Sequence, residues 1–237
     1  MDIYEAVKAR RSVRQYLDKP LEESVKSELQ DLIAETNKES GLHFQLVCDE
    51  PKAFQSRMAK YGHFENVTNY IALVGKKQPR LDEKCGYYGQ KIVIAAQMMG
   101  LNTCWVASTY KKISDAFTVE KDEKLTVVIA IGYGADSKEE RKRKSKSPED
   151  VCYDIQSAPL WFKRGVEFAL LAPTAVNQQK FTLNLDGISN KVKAKTAGFG
   201  PEIKVDLGIV KYNFEIGAGK ENFEWADKNT YEIRITD

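Results

Sequence analysis

Arg10, Arg11, Ser12 and Arg14 place three guanidinium groups and a hydroxyl within five residues. Guanidinium forks match phosphate oxygens two at a time, and free backbone N–H groups in a turn add further donors. The cluster is a candidate anchor for a phosphate monoester. The same residues equally make a solvated basic helix end, favoured by the negative C-terminal dipole. A second basic run, Arg141 to Lys146, has five basic residues in six. By itself such a run is most often a solvated loop. Acids flank it and no aromatic residue interleaves it, which weakens any nucleic-acid reading.

The other reactive side chains narrow the chemistry. Cys48, Cys85, Cys104 and Cys152 are widely spaced with no Cys-x-x-Cys, so neither a disulfide framework nor a zinc site is written. Cys104 lies in an apolar run and reads as a reduced core residue. With two histidines, His43 and His63, and no His-x-x-x-His, a protein-held catalytic metal is not expected. A hydrolase's His, Cys and Glu constellation is also missing, so hard chemistry here would need an organic cofactor.

The elements that must position these groups come from 237 residues, 42% of them apolar, enough for one large or two small domains with a real core. Lys and Arg number 36 against 34 Asp and Glu, a net charge of +2 that names no acidic partner. Mean hydropathy is −0.47. The longest nearly apolar stretch, Ile92 to Leu101, falls well short of the roughly 20 residues that cross a bilayer. The opening Met1-Asp2-Ile3-Tyr4-Glu5 has no apolar signal core, and the expected location is the cytoplasm.

Asp2 and Glu5 fit a capping box, with Ile3, Tyr4 and Val7 as an apolar stripe that runs into the basic turn at residue 10. Pro20 is expected to open a second helix carrying Val25, Leu29, Leu32 and Ile33. Leu42 to Val47 alternates like a strand, Pro51 to Tyr61 reads as a helix, and Tyr70 to Gly75 as a buried strand. Tyr87 to Met99 is apolar on most sides and stops at Gly100, as a central buried helix does. Thr103 to Ala107 and Leu125 to Ile131 are further β-rich runs, and the class is α+β.

Residues 136 to 150 form a connector with six basic and five acidic positions, dividing the chain into residues 1–150 and 151–237. The later part repeats the earlier one in degraded form. Cys85 to Trp105 and Val205 to Trp225 have equal length and each carries an apolar helix before a Trp. Ala34 to Val47 and Ala172 to Leu185 each connect an amphipathic helix to a strand.

At four places the sequence resembles the flavin-dependent nitroreductases. Arg10-Arg11-Ser12-Val13-Arg14 with Pro20-Leu21-Glu22-Glu23 is similar to their opening pattern, which implies that Arg10, Arg11, Ser12 and Arg14 bind the phosphate and ribityl chain of FMN. Gly100-Leu101-Asn102-Thr103-Cys104-Trp105-Val106 resembles the segment whose backbone lies along the flavin, implying contacts from Trp105, Val106, Ala107 and Ser108; Ala107-Ser108 stands where the family often has Gly-Gly. Ile131-Gly132-Tyr133-Gly134 followed by Lys144 and Lys146 is similar to a strand with later phosphate contacts. Ala172-Pro173-Thr174-Ala175-Val176-Asn177-Gln178-Gln179 resembles a loop that, in the family's homodimer, reaches the partner's flavin. There Pro173, Thr174 and Asn177 would hold the loop and meet ribityl hydroxyls and flavin edge atoms.

That last motif is absent from the equivalent early loop, Glu35 to Gly41, while no Arg-Arg-Ser-x-Arg precedes the second half, where Lys163-Arg164 is a faint remnant. The arrangement resembles a fused, internally duplicated nitroreductase-like subgroup. One chain would then mimic the family's dimer and, as a monomer, hold one FMN. A mixed sheet with central helices is implied, with no nucleic acid and no membrane among the partners. NAD(P)H as donor and a small nitroaromatic or quinone-type acceptor, exchanging in ping-pong order at the flavin with no catalytic side chain, are the implied chemistry. The competing readings are a flavin protein of the same fold without turnover, and the fold with no flavin. Gly132-x-Gly134 is only a partial echo of a dinucleotide fingerprint, so a Rossmann dehydrogenase is disfavoured.

Overall fold

The computed structural model describes residues 1–135 and 144–227. In chain order its elements are α1 (Ile3–Ala9), α2 (Glu23–Ser40), β1 (His43–Val47), α3 (Arg57–Tyr61), β2 (Tyr70–Lys76), α4 (Leu81–Met98), β3 (Asn102–Val106) and β4 (Glu123–Gly132). After the connector come α5 (Pro148–Val151), α6 (Leu160–Leu170), β5 (Phe181–Asp186), β6 (Lys191–Thr196), α7 (Ile203–Ala218) and β7 (Glu224–Trp225).

The apolar runs at residues 70 and 125 pair at the centre of the first sheet, whose order is β1-β2-β4-β3 with every neighbour antiparallel. An antiparallel sheet lacks the βαβ context of a dinucleotide fold. Gly134 instead donates its N–H to Asn102 Oδ1 at 3.0 Å. The second sheet, β5-β6-β7, has an antiparallel and a parallel pair.

Three expected boundaries move, each for a local reason. Pro20 lies outside α2, which begins at Glu23 after Glu22 as N-cap. The stretch from Pro51 to Tyr61 is two short pieces, a 3-10 turn at Lys52–Phe54 and then α3, because the Ser56 side chain accepts the Ala59 N–H and starts a new helix. The central helix begins at Leu81 rather than Tyr87, since its charged first turn is buried by a partner distant in sequence. Its end is as expected: Gly100 follows with φ +80°, a conformation that favours glycine.

α4 and α7 cross at the centre and carry one hydrophobic core shared by both halves of the chain. A Cβ on Gly86 would lie 2.0 Å from the Val205 carbonyl oxygen, and one on Gly208 would lie 1.9 Å from the Glu83 carbonyl oxygen. Gly208 stands 122 residues after Gly86, and Val205 stands 122 after Glu83, so the two contacts are mirror copies.

Polar pairs bind the crossing. Lys211 Nζ, 1% exposed, meets Glu83 Oε1 at 2.6 Å. Gln90 donates to Asn213 at 3.0 Å, while Glu215 accepts from the Tyr87 hydroxyl and from Trp225 Nε1. Burial alone would raise the Glu83 carboxyl, but Lys211 and Arg80 outweigh it and hold it below its ordinary value. No helix among the described residues is long and apolar enough to cross a membrane.

Candidate functional site

The first wall of the site is built by α1 and the strap that follows it. Asp2 and Glu5 close the capping box, each side chain accepting the other's backbone N–H, at 2.8 and 2.9 Å. Ala6 and Val7 are fully buried, which pins the helix to the core. At Arg10 the chain turns extended rather than forming the expected basic turn. Ser12 bridges to Thr103, Val13 donates to the Thr103 carbonyl at 3.0 Å, and the Tyr16 N–H donates to Glu65. Burial of Val13 and Tyr16 leaves Arg11, Ser12, Arg14 and Gln15 exposed between them. Arg10 is 4% exposed, and the Arg14 guanidinium lies 6.0 Å from the Phe64 ring centroid.

The opposite wall is the loop after α6. Val176, Asn177 and Gln179 all have left-handed backbones, with φ of 46°, 54° and 43°. Such conformations cost of order 1–3 kcal/mol each and persist where surrounding bonds over-determine them. Here the Thr174 hydroxyl accepts the Gln179 N–H at 3.0 Å, and Asn177 Nδ2 donates to the Lys144 carbonyl at 2.7 Å. Gln179, 3% exposed, accepts the Lys146 N–H at 2.7 Å and donates to the Leu170 carbonyl at 2.9 Å. The Lys146 ammonium donates to the Gln179 carbonyl at 2.8 Å.

Asp206, in the first turn of α7, grips this loop from below. Its carboxylate accepts the Ala175 N–H at 2.9 Å and Gln178 Nε2 at 2.7 Å. Burial raises its pKa to about 6; Gln178 and the Ala175 N–H oppose the rise and Glu202 adds to it. An aspartate ordinarily titrates near 4, so the protonated form favours the fold: this contribution is complete below about pH 4 and is lost as pH rises through about 6. Asp206→Asn removes the buried charge. Its stability relative to the parent is expected to climb between about pH 4 and 6 and then level off, gaining about 1 to 3 kcal/mol over that window. Urea denaturation across the window checks this, and a pH-independent difference would discount the buried charge.

Between the walls lies a cavity of about 830 Å³. It brings together Arg10, Arg11, Ser12 and Arg14 with Lys144, Pro173, Thr174 and Asn177, segments far apart in sequence. Trp105, Val106, Ala107, Ser108 and Lys146 do not line it. Trp105 packs against Gly89 of α4 and donates Nε1 to Gln90 at 3.3 Å; Val106 is buried, and Ala107 and Ser108 are exposed. Of the basic run at 141–146, residues 141–143 lie outside the described residues, while Lys144 and Ser145 line the cavity. Arg164 sits 4.4 Å over the Tyr4 ring, away from the cavity lining.

The sequence reading missed His63, Gln15 and Gln179 as lining residues. His63 follows α3 with φ 59° and has no surrounding pattern to mark it. Gln179 had a signal, the Gln of the loop motif. Cys104 is buried beneath the strap, and that burial pushes its thiol up, as befits a core residue.

The family model described as "Putative TM nitroreductase" matches residues 2–218. The chain belongs to this nitroreductase family. A structure from Thermotoga maritima, described as a "putative nitroreductase", superposes with TM-score 0.66 at 23% identity, covering 94% of this chain and 87% of that one. That likeness is one of fold, and the α+β architecture here is the nitroreductase fold. A nitroreductase from Bacteroides fragilis, solved with bound FMN, gives TM-score 0.47 at 21% identity over 62% of this chain and 96% of its own. The sequence matches no curated protein.

Proposed function

We propose that this nitroreductase-family chain is an FMN-dependent oxidoreductase that takes electrons from NADH or NADPH and passes them to a nitroaromatic or quinone-type acceptor. The observation that carries the reading is the convergence of the Arg10–Arg14 strap, Lys144 and the Pro173–Asn177 loop on one cavity. The donor set fits a phosphate monoester. Arg11, Arg14 and Lys144 have no carboxylate partner among the described residues, and Ser12 lines the cavity with them.

When bound, FMN would supply the hydride-transfer chemistry. The chain's own residues bind and orient. Arg10, Arg11, Arg14 and Lys144 would anchor the phosphate, and Ser12, Thr174 and Asn177 would offer hydroxyl and amide groups to the ribityl chain. No side chain in the lining is needed as a general acid, and donor and acceptor take turns in one cavity.

The walls come from the two halves of the chain, and the α4–α7 crossing has the reciprocal contacts of a twofold interface, where residue i meets j and j's copy meets i's copy. The order α6-β5-β6-α7-β7 also follows α2-β1-α3-β2-α4-β3 in kind, except that α3 has no counterpart. We read the chain as a fused dimer with one complete site and no need of a second subunit.

Three measurements on the purified protein test this. Sedimentation with flavin absorbance is expected to give at most one FMN per chain, retained by monomers on dilution. Anaerobic NADH or NADPH should bleach the flavin band, and initial rates with a quinone should give parallel double-reciprocal lines. A colourless protein that takes up no FMN would refute the cofactor, and a bound flavin that no reduced nicotinamide bleaches would leave a binder without turnover. Two FMN per chain, or flavin lost in step with dissociation of a dimer, would refute the fusion.

A further inference from the structure

We propose that the cavity selects electron acceptors that carry an anionic group, through the positive charge that Arg11, Arg14 and Lys144 together leave over once the flavin phosphate is met. The proposal rests on the FMN reading above. Its basis is a charge imbalance in the lining. Arg11, Arg14 and Lys144 all face the cavity, and no aspartate or glutamate lines it among the described residues. Glu65, which pairs with the strap, meets Arg14 through the main chain, its N–H donating to the Arg14 carbonyl at 3.0 Å.

Arg10 is buried at the end of α1 and is set aside from the count. The remaining three cations exceed what one phosphate monoester neutralises, since it brings about −1.5 to −2 at neutral pH. At least one positive charge is therefore left for the second ligand. A space of about 830 Å³ is small on the electrostatic scale. A ligand inside it stays within about one Debye length, roughly 8 Å at physiological salt, of the cations in its walls. Low-dielectric walls lined by one sign of charge focus that field on the ligand. In a cavity that donor and acceptor share by turns, the field that receives the anionic dinucleotide acts equally on the acceptor that replaces it.

The matched pair 4-nitrobenzoate and 4-nitrobenzamide isolates the charge, because ring and nitro group are common to both. Calorimetric titration of the oxidised, FMN-saturated protein is expected to show the benzoate binding roughly tenfold more tightly at low salt. The two affinities should converge as salt rises from about 0.02 to 0.5 M. They should also converge at low salt in Arg11→Gln/Lys144→Gln held at saturating FMN, and KM for the pair should follow the same order. Equal affinities at low salt, or a preference that salt does not touch, would overturn the inference. A preference surviving intact in the double variant, which keeps only one of the three cations, would overturn the surplus charge as its cause. If the chain takes up no flavin, the FMN reading fails on its own. The same two compounds titrated against the flavin-free protein then decide the anion preference, with equal affinities overturning it.

Discussion

Gly208→Ala is expected to destabilise the protein by about 3 to 5 kcal/mol, enough to consume much of the margin of an ordinary domain. The new Cβ would stand 1.9 Å from the Glu83 carbonyl oxygen and 2.6 Å from the Tyr87 nitrogen, both main-chain atoms that no rotamer change can move. Relief requires α4 and α7 to separate. Separation opens the buried Lys211–Glu83 pair and the Gln90–Asn213 bond in the same movement. Breaking a buried ion pair leaves an uncompensated charge, which is why the loss exceeds the usual 1–3 kcal/mol of overpacking. Gly86→Ala faces the Val205 carbonyl in the same way and should behave alike. Gly187, with nothing near its absent Cβ, is the control and should change stability by less than about 0.5 kcal/mol on becoming Ala. Urea midpoints decide the matter, and a parental midpoint for Gly208→Ala would show that the helices do not cross this closely.

The features legible in the sequence are those that repeat over several residues. The runs at Tyr70 and Leu125 announce a buried sheet centre because each position must satisfy the same packing on both faces. The clusters at Arg10–Arg14 and Pro173–Asn177 are dense enough to stand out as single units, and both line the cavity. What stayed hidden depends on partners far along the chain. The charged turn at Leu81–Lys84 resembles a solvated loop until Lys211 arrives from α7 to bury Glu83. Asp206 is one of two acids on a largely apolar helix, and only the fold reveals that it holds the Ala175 and Gln178 groups of the cavity loop. The Trp105 indole is likewise placed by a partner apart in sequence: the pleat of β3 turns it toward α4, where Nε1 donates to Gln90.

FMN retention should fail most steeply in Arg11→Ala/Arg14→Ala. Charge-assisted hydrogen bonds contribute about 1.5 to 3 kcal/mol each, so Arg14→Ala alone is expected to weaken FMN by roughly ten- to a hundredfold. Loss of both guanidiniums should weaken it by roughly a hundred- to ten-thousandfold if the two act independently on the phosphate. These two arginines are cleaner probes than Arg10, whose side chain is buried under α1 and whose removal would disturb folding and binding together. Arg11 and Arg14 are exposed, so the flavin-free double variant should keep its unfolding midpoint, with stability changed by less than about 0.5 kcal/mol. Binding should also lose part of its salt dependence, because fewer cations face the phosphate. Fluorescence titration of the flavin-free proteins with FMN at two ionic strengths reads both effects. Parental affinity in the double variant, with its fold intact, would remove Arg11 and Arg14 from the phosphate site and leave Arg10, Ser12, Lys144 and the residues of the 173–179 loop as its remaining donors.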